Sequence, residues 1–364
     1  MLSVFCSPSR YVQGRNATAE LGDQLKHIEL TGKALIVASD ATAGRLEAAW
    51  KKSLPPAGIQ YRRYHFGGEC SQAEIDAGTA AGREFGATLV IGAGGGKALD
   101  TSRAVAANLD VPAVNCPTIA SSDAPCSALS VVYHDDGSVD RYIFYPRNPA
   151  LVLVDTSIVA AAPRRYLVAG MGDAMATWYE ARTVIEAHKP NQLAGGTTIT
   201  AKALAELCCE TLYADGVDAA LSVDVGAVTP ALERIVEANI LLSGLGFESG
   251  GLAIAHSVHN GLTTAPETHS YLHGEKVAFG LLVQLVVEGQ PSSEIERVLG
   301  FCRAVGLPTK LADLNLADID DATVMAVARR TVAEGETAHN EPFPVTPEMI
   351  ADGIRAADWI GRQA

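Results

Sequence analysis

The residues best able to do chemistry in this 364-residue chain are histidines and acids spread from position 173 onward. Ala255-His-Ser-Val-His259 holds two imidazoles three positions apart, and His269 and His273-Gly-Glu275 follow soon after. Asp173 stands upstream in Gly170-Met-Gly-Asp-Ala-Met175. Neutral imidazole nitrogens and a carboxylate oxygen suit a borderline divalent cation. Spacing alone does not select the ligands, because no HExxH-type signature is present. Asp173 reads as part of an Ala/Met/Gly-rich helix start without a neighbouring base, where an unpaired buried carboxylate is costly. It is therefore a better ligand candidate than an ordinary acid. A histidine on such a helix is equally compatible with a satisfied structural residue, and that alternative stays open here.

A second constellation is Thr88-Leu-Val-Ile-Gly-Ala-Gly-Gly-Gly-Lys-Ala-Leu-Asp100, which reads as strand, glycine turn and helix. Glycines let a ligand approach the backbone, the helix N-terminus offers N–H groups and a positive dipole end, and Lys97 adds a charge. Gly94, Gly95, Gly96 and Lys97 thus fit a phosphate or pyrophosphate. The pattern is not a P-loop: Ile91 stands where the first glycine is needed and Ala98 replaces Ser or Thr. It is not GxGxxG either, because Lys97 stands at the third glycine. An ordinary glycine-rich strand–helix turn is the competing reading. An earlier strand ends at Asp40, whereas the common dinucleotide fold puts the turn after its first strand. Asp40 can accept hydrogen bonds from an adenosine ribose and repel a 2′-phosphate; alternatively it is the N-cap of the helix from Ala41 onward.

Both groups need elements to hold them. Short Val/Ile/Leu-rich runs at 34–38, 87–91, 111–114 and 150–154 fit strands buried on both faces of a parallel sheet. Amphipathic stretches at 41–52 and 72–85 fit the crossover helices between them. Beyond Pro163 the apolar residues fall three and four apart at 201–213, 230–243, 277–288 and 291–304, the period of helices. The expected organisation is an α/β domain over 1–162 and an all-helical domain over 163–364. Composition narrows the function. With 48% hydrophobic and 19% charged residues the chain can bury sizeable cores. Its 28 Lys plus Arg against 42 Asp plus Glu leave a net charge of −14, which argues against nucleic acid and anionic membrane surfaces as partners. No apolar run reaches the roughly 18 residues of a membrane span, and the N-terminus does not read as a secretory signal. Seven scattered cysteines without a CxxC pair fit reduced thiols in the cytoplasm.

Longer blocks carry a resemblance. Pro117-Thr-Ile-Ala-Ser-Ser-Asp-Ala-Pro-Cys-Ser-Ala-Leu-Ser-Val-Val-Tyr133 resembles the signature of the NAD-dependent glycerol dehydrogenases, within the iron-type alcohol dehydrogenase superfamily. Gly170-Met-Gly-Asp-Ala-Met-Ala-Thr-Trp-Tyr-Glu180, the stretch 246–261, His273-Gly-Glu-Lys-Val-Ala-Phe-Gly280 and Ala333-Glu-Gly-Glu-Thr-Ala-His-Asn340 are similar to the same family in the same order. The resemblance implies a dehydroquinate synthase-like architecture, with an α/β dinucleotide-binding domain ahead of an all-α, metal-binding catalytic domain. It implies that Asp173, His256 and His273 hold one zinc ion per subunit. It implies that Asp40 meets the adenosine ribose of NAD, that Gly94, Gly95, Gly96, Lys97 and Asp100 form the phosphate turn, and that Thr118, Ser121, Ser127, Leu129 and Tyr133 touch the cofactor. Asp123 stands where the family contacts its polyol. Iron-dependent relatives carry a further histidine one turn after the metal aspartate; here that position is Thr177, which favours zinc over iron. His259 is expected to lie behind or beside a ligand rather than to be one.

The activity implied is reversible oxidation of glycerol, or a related vicinal diol, to dihydroxyacetone with NAD⁺. Asp123, Asp173, His256 and His273 would bind the substrate and carry catalysis by metal-assisted hydride transfer. A homo-oligomer, an octamer by resemblance, is the implied assembly. A glycerol-1-phosphate or hydroxycarboxylate dehydrogenase would call for a cation near the substrate, where 121–125 is acidic instead. A dehydroquinate synthase would use NAD only transiently, so net NADH formation separates it.

Overall fold

The computed structural model describes residues 1–134 and 138–363, so Ala364 of the expected second domain lies outside the described residues. Contacts group the chain into two compact units, one of Ser7–Pro163 with Ser222–Leu241, the other of Met1–Cys6, Arg164–Leu221 and Leu242–Ala364. A single cut after Ala162 therefore differs from the observed grouping at the first six residues, at Pro163 and over the stretch 222–241.

The first unit is built on strands β1 (Tyr11–Gly14), β2 (Gly32–Ala38), β3 (Ile59–His65), β4 (Leu89–Gly94) and β5 (Ala113–Pro117). A hairpin of β6 (Leu129–Tyr133) and β7 (Val139–Phe144) precedes β8 (Leu151–Asp155). Six of these form one parallel sheet in the order β1-β8-β5-β4-β2-β3, and β6 pairs antiparallel with β7 apart from it. In β2 the side chains alternate between two apolar clusters: Ala34, Ile36 and Ala38 pack with Trp50, Ile59 and Ile91, while Leu35 and Val37 pack with Val90 and Val105. Burial on both faces is why the central strands show as uninterrupted apolar runs. Ser39 caps the Asp40–Ser53 helix, its side chain accepting from Thr42 N, and Ser71 caps Gln72–Phe85 in the same way. The N-cap reading of Asp40 is thereby corrected: the hydroxyl one residue earlier takes the orphan N–H, and Asp40 occupies the first turn.

The second unit is helical. Its main elements include Arg164–Glu186, Ile254–Leu262 and His273–Val287, which carry the histidines and the acid singled out above. Asp173 sits in the middle of the 23-residue Arg164–Glu186 helix, not at a helix start. Two helices approach at glycines. A Cβ on Gly274 would lie 1.8 Å from Ala169 O, and one on Gly172 would lie 2.4 Å from Gly274 O. Only backbone against backbone fits there. The neighbours of these glycines are Asp173 and His273. Farther along the same helix, a Cβ on Gly280 would fall 2.3 Å from Ala255 O, next to His256. Among the described residues no single helix is long and apolar enough to cross a membrane. None of the seven cysteines is in a disulfide, and burial pushes the thiols of Cys70, Cys116, Cys209 and Cys302 up to about 12.

Candidate functional site

The glycine contacts bring three groups together from residues up to 100 positions apart. His273 Nε2 lies 3.0 Å and His256 Nε2 3.2 Å from Asp173 Oδ1. One ligand atom from each of the three falls within 4.8 Å of the others. Asp173 is fully buried. Burial alone would raise its carboxyl, but the imidazoles, His273 foremost, hold it well below the usual carboxylate range. Burial likewise works against a charged His256, yet Glu180 and Asp173 push it well above the ordinary imidazole value. The trio is thus set to give up an imidazole proton on taking up a cation.

The partners behind the trio orient it. His256 Nδ1 meets Glu180 Oε2 at 2.5 Å, which leaves Nε2 turned toward Asp173. Glu180 Oε1 also accepts from Ala253 N and His256 N at 2.8 and 3.0 Å, and so closes the otherwise uncapped start of the Ile254–Leu262 helix. His259 Nε2 sits 3.1 Å from His273 Nδ1, behind that imidazole rather than beside the carboxylate. Burial, with His273 and Lys276 nearby, pushes the His259 pKa well below the ordinary value. Thr177 bonds Ser243 Oγ at 2.8 Å, and His269 is occupied with Thr263 O at 2.9 Å, apart from the trio.

Sequence reasoning did not single out Glu180, although it falls two turns after Asp173 on one helix and hence on the same side. That i+7 spacing was the available signal.

The other candidates lie in the α/β unit. Gly94 ends β4 at φ +159°, and a Cβ there would stand 2.7 Å from Ala98 Cβ, so the turn admits only glycine at this point. Gly95 precedes the Gly96–Leu109 helix, and no side chain caps that N-terminus. Lys97 Nζ is held by Glu69 Oε2 at 2.5 Å and lies 5.1 Å from the centre of the Tyr133 ring. Asp100 is buried, ion-paired with Arg103, and accepts from Val131 N at 3.3 Å. It braces β6 against the helix, and a carboxylate has no proton to donate to a phosphate. Thr118 N bonds Gly94 O at 2.9 Å, which ties the loop after β5 to the glycine turn. Ser127 is buried against Ala124 O, while Ser121, Leu129 and Tyr133 are half-buried. Burial raises the Tyr133 phenol, with Asp100 adding to it. Asp123 is 7% exposed and precedes the short Ala124–Cys126 turn. Asp40 is exposed and takes Arg63 and His65 on one carboxylate oxygen. Glu69, Arg63 and His65 went unread because β3 and the loop after it carry no periodic signal.

A glycine turn on a parallel sheet and a buried Asp–His–His trio on crossed helices define the class, that of metal-dependent dehydrogenases. Residues 8–156 match the iron-containing alcohol dehydrogenase family. The chain is 49% identical to a glycerol dehydrogenase of Pseudomonas putida, covering 98% of this chain and 97% of that protein. It is 46% identical to a glycolaldehyde reductase of Halobacterium salinarum, over 100% and 99% of the two chains. The crystal structure of glycerol dehydrogenase from Schizosaccharomyces pombe superposes with a TM-score of 0.96 at 38% identity, covering 99% of this chain and 91% of that one. The chain belongs to the glycerol dehydrogenase group of the iron-containing alcohol dehydrogenase family.

Proposed function

We propose that the chain is an NAD-dependent glycerol dehydrogenase, reversibly oxidising glycerol and related vicinal diols to hydroxyketones. The observation that carries this reading is 49% identity to a glycerol dehydrogenase over nearly the whole chain, together with the assembled Asp173–His256–His273 trio.

One anionic oxygen and two imidazole nitrogens converging in a buried position fit a borderline divalent cation. We assign it as one zinc per subunit, because Thr177 offers no third imidazole. Bound there, the metal supplies a Lewis acid that makes a substrate hydroxyl more acidic. The chain's own residues do the rest. Glu180 accepts the Nδ1 proton of His256 and so fixes Nε2 as the ligating atom. His259, held neutral by its surroundings, shares one proton with His273 Nδ1. Asp123 accepts a hydrogen bond from a polyol hydroxyl, a contact that a substrate lacking that hydroxyl forfeits.

The N–H groups of Gly95 and Gly96 with Lys97 hold the pyrophosphate. Asp40 takes the adenosine ribose, and Asp100 steadies the turn. Thr118, Ser121, Ser127, Leu129 and Tyr133 hold the rest of the cofactor. NAD held there would supply the nicotinamide as hydride acceptor, chemistry that belongs to the cofactor. In this reading the α/β unit binds NAD and the helical unit binds metal.

A cytoplasmic location fits seven cysteines of which none is in a disulfide. A homo-oligomer, an octamer by resemblance, is supported by Ile199, Leu207, Val217 and Leu221, exposed apolar side chains on one face of a helix.

The test is NAD⁺ reduction with glycerol, 1,2-propanediol, 2,3-butanediol and aminopropanols, with and without chelator, alongside NADH oxidation with glycolaldehyde. Chelator-sensitive NADH formation with glycerol is expected. No net reduction with any diol in metal-replete enzyme overturns the reading. Glycolaldehyde turnover far above every diol would favour the second reading, suggested by the Halobacterium salinarum relative.

A further inference from the structure

The edge strand β3 reads Ile-Gln-Tyr-Arg-Arg-Tyr-His; Ile59, Tyr61 and Tyr64 pack on the apolar clusters, which leaves its arginines and His65 to be explained. Its last residues register against the end of β2, with Val37 opposite Tyr64 and Ala38 opposite His65, so they stand beside the first turn of the Asp40–Ser53 helix. Arg63 and His65 are two apart and share a face. Arg63 Nη1 meets Asp40 Oδ1 at 2.7 Å and His65 Nδ1 meets the same oxygen at 3.2 Å. Arg62 faces the other way, pairing with Glu84 at 3.0 Å and lying 4.8 Å from the Phe85 ring centre. Asp40 therefore faces two nitrogen groups through one oxygen, which leaves the second to accept ribose hydroxyls. The Arg63 and His65 hydrogen bonds hold the Asp40 carboxyl below the usual carboxylate range.

Such an arrangement carries both cofactor preferences at once. A carboxylate at the end of the second strand selects a free 2′-hydroxyl, and an arginine nearby accommodates a 2′-phosphate. We infer that Arg63, assisted by His65, is a latent 2′-phosphate site that Asp40 keeps occupied, so that the Asp40–Arg63 pair rather than Asp40 alone sets the choice between NAD and NADP. The inference rests on the reading of Asp40 as the ribose acceptor. A phosphate monoester bearing about −1.5 to −2 charges must displace Asp40 from Arg63 and remain against its charge. With the acid neutralised, the planar guanidinium fork meets the phosphate oxygens in the bidentate geometry it favours. If the pair were only a surface ion pair, it would matter little to either cofactor.

Binding of NADH and NADPH, followed by nicotinamide fluorescence in the full-length protein without substrate, tests this apart from turnover. The proteins compared are wild type, Asp40→Asn, and Asp40→Asn combined with Arg63→Ala, with Arg63→Lys or with His65→Ala. Asp40→Asn is expected to weaken NADH and to tighten NADPH by roughly tenfold or more, a gain that shrinks as ionic strength rises. Adding Arg63→Ala should remove that gain while leaving NADH binding near the single variant. Arg63→Lys should restore part of it, and His65→Ala should reduce it. If the double variant with Arg63→Ala keeps the full NADPH gain, the latent site is wrong and the ribose role of Asp40 stands. If Asp40→Asn moves neither cofactor, the ribose reading fails and this inference falls with it.

Discussion

Replacing Glu341 by glutamine is expected to stabilise the protein by an amount that grows with pH. Glu341 is 2% exposed, and its carboxyl has no well-formed hydrogen bond, only a weak approach from Ile254 N. Burial, with Glu288 and Glu180 close by, pushes the carboxyl from an ordinary 4.5 up to about 9. The native state therefore keeps a proton that the unfolded chain releases above pH 4.5. Wherever the native state binds more protons, stability falls with rising pH. The contribution is complete below pH 4.5 and is lost up to pH 9, at about 1.4 kcal/mol per unit. By pH 7 the loss is about 3 kcal/mol and by pH 9 about 6 kcal/mol. Glutamine fills the same volume and does not ionise. Both side chains bury unpaired polar atoms at low pH, so the two proteins should be nearly equal there. Denaturant unfolding of the metal-loaded proteins at pH 5, 7 and 9 measures the gap, provided the m-values agree. A gap that opens from near zero at pH 5 to about 3 kcal/mol at pH 7 is expected. Parallel stability curves across this range would refute an ionisation held off by burial.

Glu180→Gln should retain the fold but weaken metal binding by about 10–100-fold, because the amide cannot fix the His256 tautomer as the carboxylate does; metal content after dialysis against graded chelator reads this out, and unchanged retention removes the role. Gly274→Ala should cost several kcal/mol and lower metal retention together, since its Cβ would enter to 1.8 Å of Ala169 O. A folded, metal-retaining alanine variant would show that the crossing is not what positions Asp173 and His273. Asp123→Asn should lower kcat/KM for glycerol while leaving NADH affinity nearly intact, by about tenfold or more if the carboxylate accepts a substrate hydroxyl; equal kinetics would take Asp123 out of the substrate site.

What could be read in advance follows from how each element is buried. Strands β2, β4, β5 and β8 show as apolar runs because both their faces are covered, whereas β3, exposed at the edge, shows no period at all. The Pro230–Glu237 helix was readable as a helix, but not as part of the first unit. What ties it there is Glu233, accepting from Gln13 and from Thr156, residues more than 70 positions away. The metal candidates have the same character. Residue chemistry picked out acids and histidines, and left the ligand set open until the resemblance named it. The geometry that unites Asp173 and His273 resides in Gly172 and Gly274, and nothing local distinguishes those two from the other glycines of the chain. Where one side chain answers to another only across the fold, its neighbours in sequence carry no trace of the partnership. Arg63 and His65 are the sharpest instance: they look like polar filler on a weak strand, and they acquire meaning only because β3 runs parallel to β2 and ends beside Asp40. The end of an edge strand, where Arg63 and His65 stand outside the apolar clusters, is free to vary its side chains, which makes it a natural place for cofactor preference to be set.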